Sequence, residues 1–171
     1  MNSLKMNGCW HKAIYKFFQL LIFSFKFIKL IRLYFLRKMV KKDLSRSEKE
    51  WKKLLKPEVY QILRNKHTEP AFTGKYLDNK KDGTYFCAGC KNPLFSSKTK
   101  FDSGSGWPSF WNVISKDSVE LKPDYSFELK RVEVVCKRCG GHLGHVFDDG
   151  PRPTGKRFCI NSLSLDFEEK K

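Results

Sequence analysis

The stretch VEVVCKRCGG, residues 132–141, joins a strand pattern to a pair of cysteines. Its first valines alternate with Glu133, and this period of two predicts a β-strand. Cys136 and Cys139 follow with two residues between them, a spacing at which a tight turn presents two sulfurs to one metal ion. The two glycines after Cys139 supply the backbone freedom that such a turn needs. We therefore expect a β-hairpin that carries a metal-binding knuckle.

A second pair of the same kind, CAGC at residues 87–90, lies 45 residues upstream. Four thiolates at tetrahedral angles suit Zn²⁺, and four protein ligands leave no open coordination position. We predict one structural zinc ion per chain, which ties two distant hairpins together through Cys87, Cys90, Cys136 and Cys139. A thioredoxin-type redox pair normally opens a helix in a βαβ unit, a context that is absent here. A pair of disulfides and a nucleic-acid-binding zinc ribbon remain as alternatives.

The rest of the chain predicts a mainly β domain behind a short helical entry. Ser45 and Glu48 form a capping-box pattern, which predicts a helix over residues 47–55. A second helix is expected over residues 57–64, which begin with a proline. Beyond Pro70 short apolar runs alternate with turn residues, and no long helical period appears. We expect strands that pair antiparallel.

The first 44 residues differ from the remainder in charge and composition. Residues 1–44 carry a net charge of +9, and residues 45–171 carry +7. Within this leader, residues 1–44, the longest run without a charge is nine residues, Phe17 to Phe25, whereas a helix that spans a bilayer needs roughly 20. A cationic amphipathic helix on a membrane surface, a targeting leader, and an untranslated region upstream of a start at Met39 are all open interpretations. We expect residues 45–169 to form the functional domain.

Composition also narrows the compartment and the partners. Apolar residues make up 40% of the chain, enough for a packed core. Two C-x-x-C pairs in a chain of this length are atypical of a secreted disulfide scaffold and favour a reducing, cytoplasmic location. The moderate basic excess of the domain is a weak nucleic-acid signal, so we expect no specific nucleic-acid partner. We expect a monomer.

Cys159 stands apart from the paired cysteines, in GKRFCINS at residues 155–162. A single cysteine is most often a small buried apolar residue. Here Arg157 and Asn161 lie two residues to either side, so in a strand all three side chains share one face. A neighbouring cation favours the reactive thiolate. Polar candidates lie in GGHLGHVFDDG, namely His142, His145, Asp148 and Asp149. The stretch FDSGSGWPSF adds a loop made flexible by Gly104 and Gly106, which ends in the aromatic Trp107.

Three stretches together resemble one family. They are GTYFCAGC (83–90), KFDSGSGWPSFW (100–111) and VVCKRCGGHLGHVFDDGPRPTGKRFCINSLSL (134–165). They are similar to methionine sulfoxide reductases of the B type, which reduce the R epimer of methionine sulfoxide, and the resemblance runs from about Glu48 to Phe167. It implies a β-tent of two antiparallel sheets, the zinc set above, and Cys159 as the nucleophile. It also places six further residues around the substrate: Trp107, His142, His145, Asp149, Arg157 and Asn161.

The resemblance implies partners as well as chemistry. Oxidised proteins that carry methionine-R-sulfoxide are the expected substrates, with free methionine sulfoxide as an open alternative. Attack by the Cys159 thiolate would leave a sulfenic acid, and thioredoxin or another thiol would reduce it. His145, aided by His142 or by Asp149 through water, would supply the proton that the departing oxygen needs.

This sequence departs from the family's common form at Ser105, where a resolving cysteine usually stands. A hydroxyl cannot form a disulfide, so we expect a one-cysteine enzyme. Cys9 as the resolving thiol is the alternative. Two other classes compete with an enzyme: a zinc-ribbon module would leave GKRFCINS and GWPSF unexplained, and a membrane-associated structural protein would explain the leader alone.

Overall fold

Two short helices open the part of the chain that the computed structural model describes, residues 46–126 and 130–170. Helix α1 spans Glu48–Leu54 and helix α2 spans Pro57–Leu63, with the proline in its first turn as predicted. The predicted leader over residues 1–44, with Cys9, lies outside the described residues. None of the described helices is long and apolar enough to cross a membrane.

Helix α1 starts in a different register from the one predicted. Its N-cap is Ser47, whose hydroxyl accepts a hydrogen bond from the Glu50 N–H at 3.4 Å, and the Glu50 carboxylate accepts one from the Ser47 N–H at 2.7 Å. The predicted box at Ser45 and Glu48 was wrong, because the sequence repeats Ser-x-x-Glu two residues apart and the pattern fits both registers. In the observed register Glu48 is helical and accepts a hydrogen bond from Arg64 at the end of α2.

Nine antiparallel strands follow in the described residues and form two sheets, which confirms the predicted fold class. The three-stranded sheet has the order β2-β1-β9, and the six-stranded sheet has the order β3-β4-β8-β7-β6-β5. The strands are β1 Gly83–Cys87, β2 Pro93–Ser96, β3 Lys100–Phe101, β4 Ser109–Phe110, β5 Val119–Asp124, β6 Arg131–Cys136, β7 His142–Phe147, β8 Arg157–Ile160 and β9 Leu165–Glu169. Short 3₁₀ turns lie at Ser97–Thr99 and Ser162–Ser164.

Strand β6 contains the period-two pattern from which a strand was predicted. Alternation suggests that its valines are buried and that Glu133 is exposed, but at the start of the strand the reverse is observed. Val132 is 39% exposed, whereas Glu133 is 3% exposed. A buried carboxylate needs partners, and Glu133 has them in Lys66 and His142. The polar member of the pattern therefore points inward because it is paired.

Aromatic side chains join the two sheets. Phe95 of β2 and Phe110 of β4 stack with ring centroids 4.3 Å apart, and Tyr85 of β1 meets the Phe110 ring edge-on at 5.0 Å. All three rings are fully buried. Such pairs stabilise a core beyond their buried area, so the sheet that carries Cys159 is fixed against the smaller one.

Strand β8 lies between β4 and β7, which places Cys159 inside the six-stranded sheet rather than at its edge. In the strand register Cys159 is opposite Ser109 on one side and opposite His145 on the other. Gly144 of β7 has φ +156° and approaches β8 closely: a Cβ there would lie 2.1 Å from the Cys159 carbonyl oxygen. A glycine is required at this position of the strand.

Replacing Gly144 by alanine should destabilise the fold far more than replacing Gly155, a glycine of φ +68° whose Cβ position is open. At Gly155 the only cost is that of alanine in the left-handed conformation, roughly 1–2 kcal/mol. At Gly144 the added Cβ would collide with the Cys159 carbonyl oxygen, so the β8 backbone would have to move. Urea unfolding of both variants measures the difference. Equal losses of unfolding free energy would contradict the close β7–β8 approach.

Candidate active site and metal centre

The four paired cysteines converge in space. Their sulfur atoms all lie within 4.8 Å of one another, with Cys87 Sγ 3.7 Å from Cys139 Sγ and Cys90 Sγ 3.5 Å from Cys136 Sγ. Four sulfurs held at about 2.3 Å from a central Zn²⁺ in a tetrahedron would be about 3.8 Å apart. The donor set and its spacing therefore fit the predicted zinc ion, with every ligand position filled by a thiolate.

The two knuckles share one backbone design. In each, the residue four positions after the first cysteine donates its N–H to that cysteine's carbonyl: Lys91 to Cys87 at 2.9 Å, and Gly140 to Cys136 at 2.8 Å. Both donors have positive φ, +56° and +69°. One knuckle joins β1 to β2 and the other joins β6 to β7. The cluster thus brings two distant hairpins together, as predicted, and these hairpins belong to different sheets.

Cys159 lies at a separate cavity of 140 Å³. The thiol is half-buried and is not in a disulfide. The residues that line this cavity are Thr68, Trp107, Arg131, Gly144, His145, Phe147, Cys159 and Asn161. The structure therefore brings four of the sequence-predicted site residues, Trp107, His145, Cys159 and Asn161, to one cavity.

Opposing effects act on the Cys159 thiol. Burial raises its pKa above the ordinary value, and the Ser105 hydroxyl and the Arg157 charge work in the other direction. Arg157 belongs to the same face of β8, as predicted, and its guanidinium lies 4.5 Å above the Phe147 ring. The cation is held by Asp149, which accepts two hydrogen bonds of 2.8 Å from it. Asp149 therefore acts on the site through Arg157.

His145 is paired with a carboxylate that sequence reasoning missed. Its Nε2 lies 2.7 Å from Asp124 Oδ2, and the same oxygen accepts a hydrogen bond from Arg131 at 3.0 Å. Hydrogen bonds from Ser126, and then the one from His145, hold the pKa of Asp124 well below its usual range. An ionised carboxylate only accepts, so His145 Nε2 carries the proton of this bond. The Nδ1 atom is left as the ring nitrogen for proton exchange.

His142 is not among the residues that line the cavity. It is 3% exposed, and its Nδ1 donates to Glu133 Oε1 at 2.7 Å. Burial lowers the pKa of His142, which favours the neutral ring. The two imidazoles meet edge to face with centroids 5.5 Å apart. His142 therefore contacts Glu133 and His145, and its predicted role at the substrate stays a prediction.

Glu69 connects Trp107 and Asn161, although no sequence pattern singled it out. Its carbonyl oxygen accepts from Trp107 Nε1 at 3.0 Å, and its N–H donates to Asn161 Oδ1 at 3.0 Å. Its carboxylate accepts the N–H groups of Ser162 and Leu163 at 2.6 and 2.9 Å. Glu69 is 4% exposed, and burial raises its pKa. One residue before the sheets thus fixes two walls of the cavity.

The Ser105 hydroxyl lies 3.7 Å from the Cys159 sulfur. Its loop turns through two glycines of positive φ, Gly104 at +66° and Gly106 at +88°. A Cβ on Gly106 would lie 2.8 Å from the Ala71 Cβ. The glycines therefore let the loop pass tightly enough to aim residue 105 at the thiol.

Two larger concavities, of 410 and 370 Å³, lie elsewhere on the surface. Neither is lined by a cysteine or a histidine. They therefore offer neither a thiol nor an imidazole, and the smaller cavity, which has both, is the candidate active site.

Substituting Cys90 by serine should release the metal and lower the stability of the whole domain. Structural zinc contributes on the order of 10 kcal/mol to the folding of small domains. The matched control is Cys159→Ser, which removes a thiol outside the cluster and should retain the metal. Metal content by elemental analysis, with thermal unfolding, checks both. A wild-type protein that is purified fully folded and free of metal would contradict the assignment.

Comparison with known proteins gives one consistent family. A family model described as the SelR domain matches residues 55–169. Peptide methionine sulfoxide reductase MsrB of Methanosarcina barkeri is 60% identical over 130 residues, 76% of this chain and 92% of that protein. The protein of the same name from Leptospira interrogans is 54% identical over 128 residues, 75% of this chain and 98% of that protein. Methionine-R-sulfoxide reductase B3, mitochondrial, of Mus musculus is 55% identical over 121 residues, 71% of this chain and 48% of that protein. These matches confirm the resemblance carried by the motifs: the chain belongs to the SelR domain family.

Proposed function

We propose that this chain is a peptide-methionine (R)-S-oxide reductase, which converts methionine-R-sulfoxide to methionine with Cys159 as its nucleophile. The observation that carries the proposal is the half-buried thiol at a small cavity walled by Trp107 and His145. The names of the relatives, each a methionine sulfoxide reductase, support the same reaction.

The reaction balances with one thiol. The Cys159 thiolate attacks the sulfoxide sulfur and forms a sulfur–sulfur bond. The substrate's sulfur–oxygen bond and this sulfur–sulfur bond then break as the protonated oxygen passes to Cys159, which becomes a sulfenic acid. The cysteine sulfur loses two electrons and the substrate sulfur gains them, so methionine leaves. The oxygen needs a proton on the way, because an unprotonated oxygen is a poor leaving group.

His145 is the proposed proton donor. It lines the cavity, and its register position is directly across from Cys159. Its Nε2 donates a hydrogen bond to the Asp124 carboxylate at 2.7 Å, which orients the ring. Its Nδ1 exchanges the proton with the sulfoxide oxygen, directly or through water. Asp149 contributes by holding Arg157 beside the thiol rather than by proton transfer.

Stereoselectivity follows from two chemically different walls. The indole of Trp107, fixed by its hydrogen bond to Glu69, offers an apolar surface for the ε-methyl group. His145 lies at the same cavity and attracts the oxygen. A sulfur attacked from Cys159 can satisfy both walls in one configuration only. A cavity of 140 Å³ suits a single side chain, and its opening allows that side chain to belong to a polypeptide.

Recycling is proposed to proceed without an internal disulfide, since the side chain that lies 3.7 Å from the Cys159 sulfur at position 105 is a serine. Two molecules of a thiol, or one dithiol protein such as thioredoxin, return the sulfenic acid to the thiol and release water. We place the protein in a reducing, cytoplasmic compartment, because the four paired cysteines must stay reduced to hold a metal. Zinc, held by the four paired cysteines, would supply stability and take no part in this chemistry.

Replacing Cys159 by serine should abolish reduction of a dabsylated methionine-R-sulfoxide, because a neutral hydroxyl is far less nucleophilic than a thiolate. The loss should exceed a hundredfold, as usual for an essential nucleophile. Chromatographic assay with dithiothreitol measures it, and the S epimer serves as the substrate control. Reduction of the S epimer at a comparable rate, or an active Cys159→Ser variant, would sink the proposal.

Ser105→Cys should convert the enzyme to disulfide recycling. The contact between residue 105 and Cys159 is short enough for a disulfide after modest rotation of the side chains. The variant should form that disulfide after one equivalent of sulfoxide and should gain thioredoxin-dependent turnover. Mass spectrometry of the linked peptides and an NADPH-coupled assay measure the two effects.

Cys9→Ser in the full chain is the matched test of the alternative. If Cys9 is irrelevant to recycling, this variant keeps the wild-type rate with thioredoxin. A variant that loses thioredoxin-driven turnover but still makes one equivalent of methionine would identify Cys9 as the resolving thiol and contradict the one-cysteine scheme.

A further inference from the structure

Three serine hydroxyls form a chain of hydrogen bonds that ends on the Cys159 sulfur. Ser105 Oγ lies 3.7 Å from Cys159 Sγ and 2.8 Å from Ser103 Oγ. Ser103 Oγ lies 2.7 Å from Ser109 Oγ, which donates to the Trp107 carbonyl oxygen at 3.2 Å. This series of hydrogen bonds, the hydroxyl chain, therefore connects the Cys159 thiol to the Trp107 backbone carbonyl through serine hydroxyls alone.

The positions of these hydroxyls are fixed by the fold. Ser109 is a residue of β4, is 1% exposed, and is the register partner of Cys159. Ser105 lies between two glycines of positive φ, and its N–H is 3.4 Å from Ser103 Oγ. The hydroxyls keep their spacing because a strand and a tight loop hold the two ends.

The direction of the chain can reverse without movement of any heavy atom, since each hydroxyl can donate one hydrogen bond and accept two. When Cys159 is a thiol, its S–H donates to Ser105, and each hydroxyl donates to the next as far as the Trp107 carbonyl. When Cys159 is a thiolate, the order reverses. Ser109 then donates to Ser103, Ser103 donates to Ser105, and Ser105 donates to the sulfur anion.

We propose that Ser105, supported by Ser103 and Ser109, is a further catalytic residue, which stabilises the Cys159 thiolate by donating a hydrogen bond to its sulfur. The inference rests on the proposed function, in which this thiolate attacks the sulfoxide. Hydrogen bonds to an ion are stronger than those between neutral groups, and neighbouring hydroxyls strengthen one another. The chain thus favours the ionised form over the neutral thiol.

Several charged groups also act at Cys159 and remain in place when a serine is changed. Arg157, held by Asp149, lies on the same strand, and His145 faces the thiol from β7 with Asp124 behind it. Arg131 reaches the cavity from β6. Burial raises the pKa of Cys159, and the Ser105 bond opposes it. Loss of the hydroxyl should therefore raise the pKa further and reduce the thiolate present at neutral pH.

The test is the pH dependence of alkylation at Cys159 in the full chain. Iodoacetamide reacts with the thiolate, and mass spectrometry of the peptide that contains Cys159 separates it from the other thiols. Ser105→Ala should shift the alkylation profile to higher pH by about one unit and lower the rate at pH 7 about tenfold, as expected for one hydrogen bond to a charged group. Ser103→Ala should give a smaller shift in the same direction.

Two further variants complete the test. Ser105→Thr keeps a hydroxyl and should keep the wild-type profile. Ser115→Ala removes an exposed serine that neither lines the cavity nor belongs to the three linked hydroxyls, and it should also leave the profile unchanged. A Ser105→Ala profile that coincides with that of Ser115→Ala would overturn the inference. A Ser105→Thr profile shifted as far as the alanine variant would overturn it as well, since loop packing would then be the cause.

Alkylation needs no sulfoxide, so the result is independent of the proposed function. A wild-type protein that shows the Ser105-dependent profile but reduces no sulfoxide would contradict the proposed reductase and leave the thiolate stabilisation in place. An active reductase whose Ser105→Ala variant alkylates as the wild type does would contradict this inference alone.

Discussion

The pairing of β8 with its two neighbours is the constraint on which the site depends. Backbone hydrogen bonds to β4 and β7 fix Cys159 between Ser109 and His145. A slip of one residue would turn every side chain of β8 to the opposite face. The Cys159 thiol would then lose its contacts with both the Ser105 hydroxyl and the cavity that it shares with His145. Gly144 enforces the register, because only a residue without a Cβ lets β7 approach the Cys159 carbonyl so closely. The strand register therefore decides which residues lie beside Cys159.

The sulfur cluster and the aromatic core keep that sheet in place. The knuckles come from different sheets, and a metal that linked them would supply stability that short strands lack on their own. The stacked rings of Phe95 and Phe110 add a second link between the sheets. The helical entry contributes through the segment that follows it, where buried Glu69 orients Trp107 and Asn161. Support from several elements therefore holds the walls of the cavity in fixed positions, the kind of preorganisation from which catalysis benefits.

Much of this was predictable from the sequence, since short motifs report local chemistry. The knuckle spacing predicts the four-sulfur cluster, and the family motifs predict the two sheets and the residues around Cys159. The sequence could not predict hydrogen-bond partners that are distant along the chain and that meet only after folding. Glu133 looks like the solvent-facing member of a strand until His142 and Lys66 are seen beside it. Asp124 reaches His145 because β5, β6 and β7 are adjacent in the sheet. The N-cap of α1 was predicted at Ser45 rather than Ser47 because two capping-box patterns overlap in the sequence.

The central claim is that one thiol, at Cys159, takes the oxygen from the substrate. The most direct measurement is a single turnover without reductant: one equivalent of methionine-R-sulfoxide, followed by dimedone and mass spectrometry of the cysteine-containing peptides. We expect one equivalent of methionine and one dimedone adduct, on Cys159, with the four cluster cysteines unmodified. Formation of methionine while Cys159 remains a free thiol, or an adduct on a different cysteine, would contradict the account.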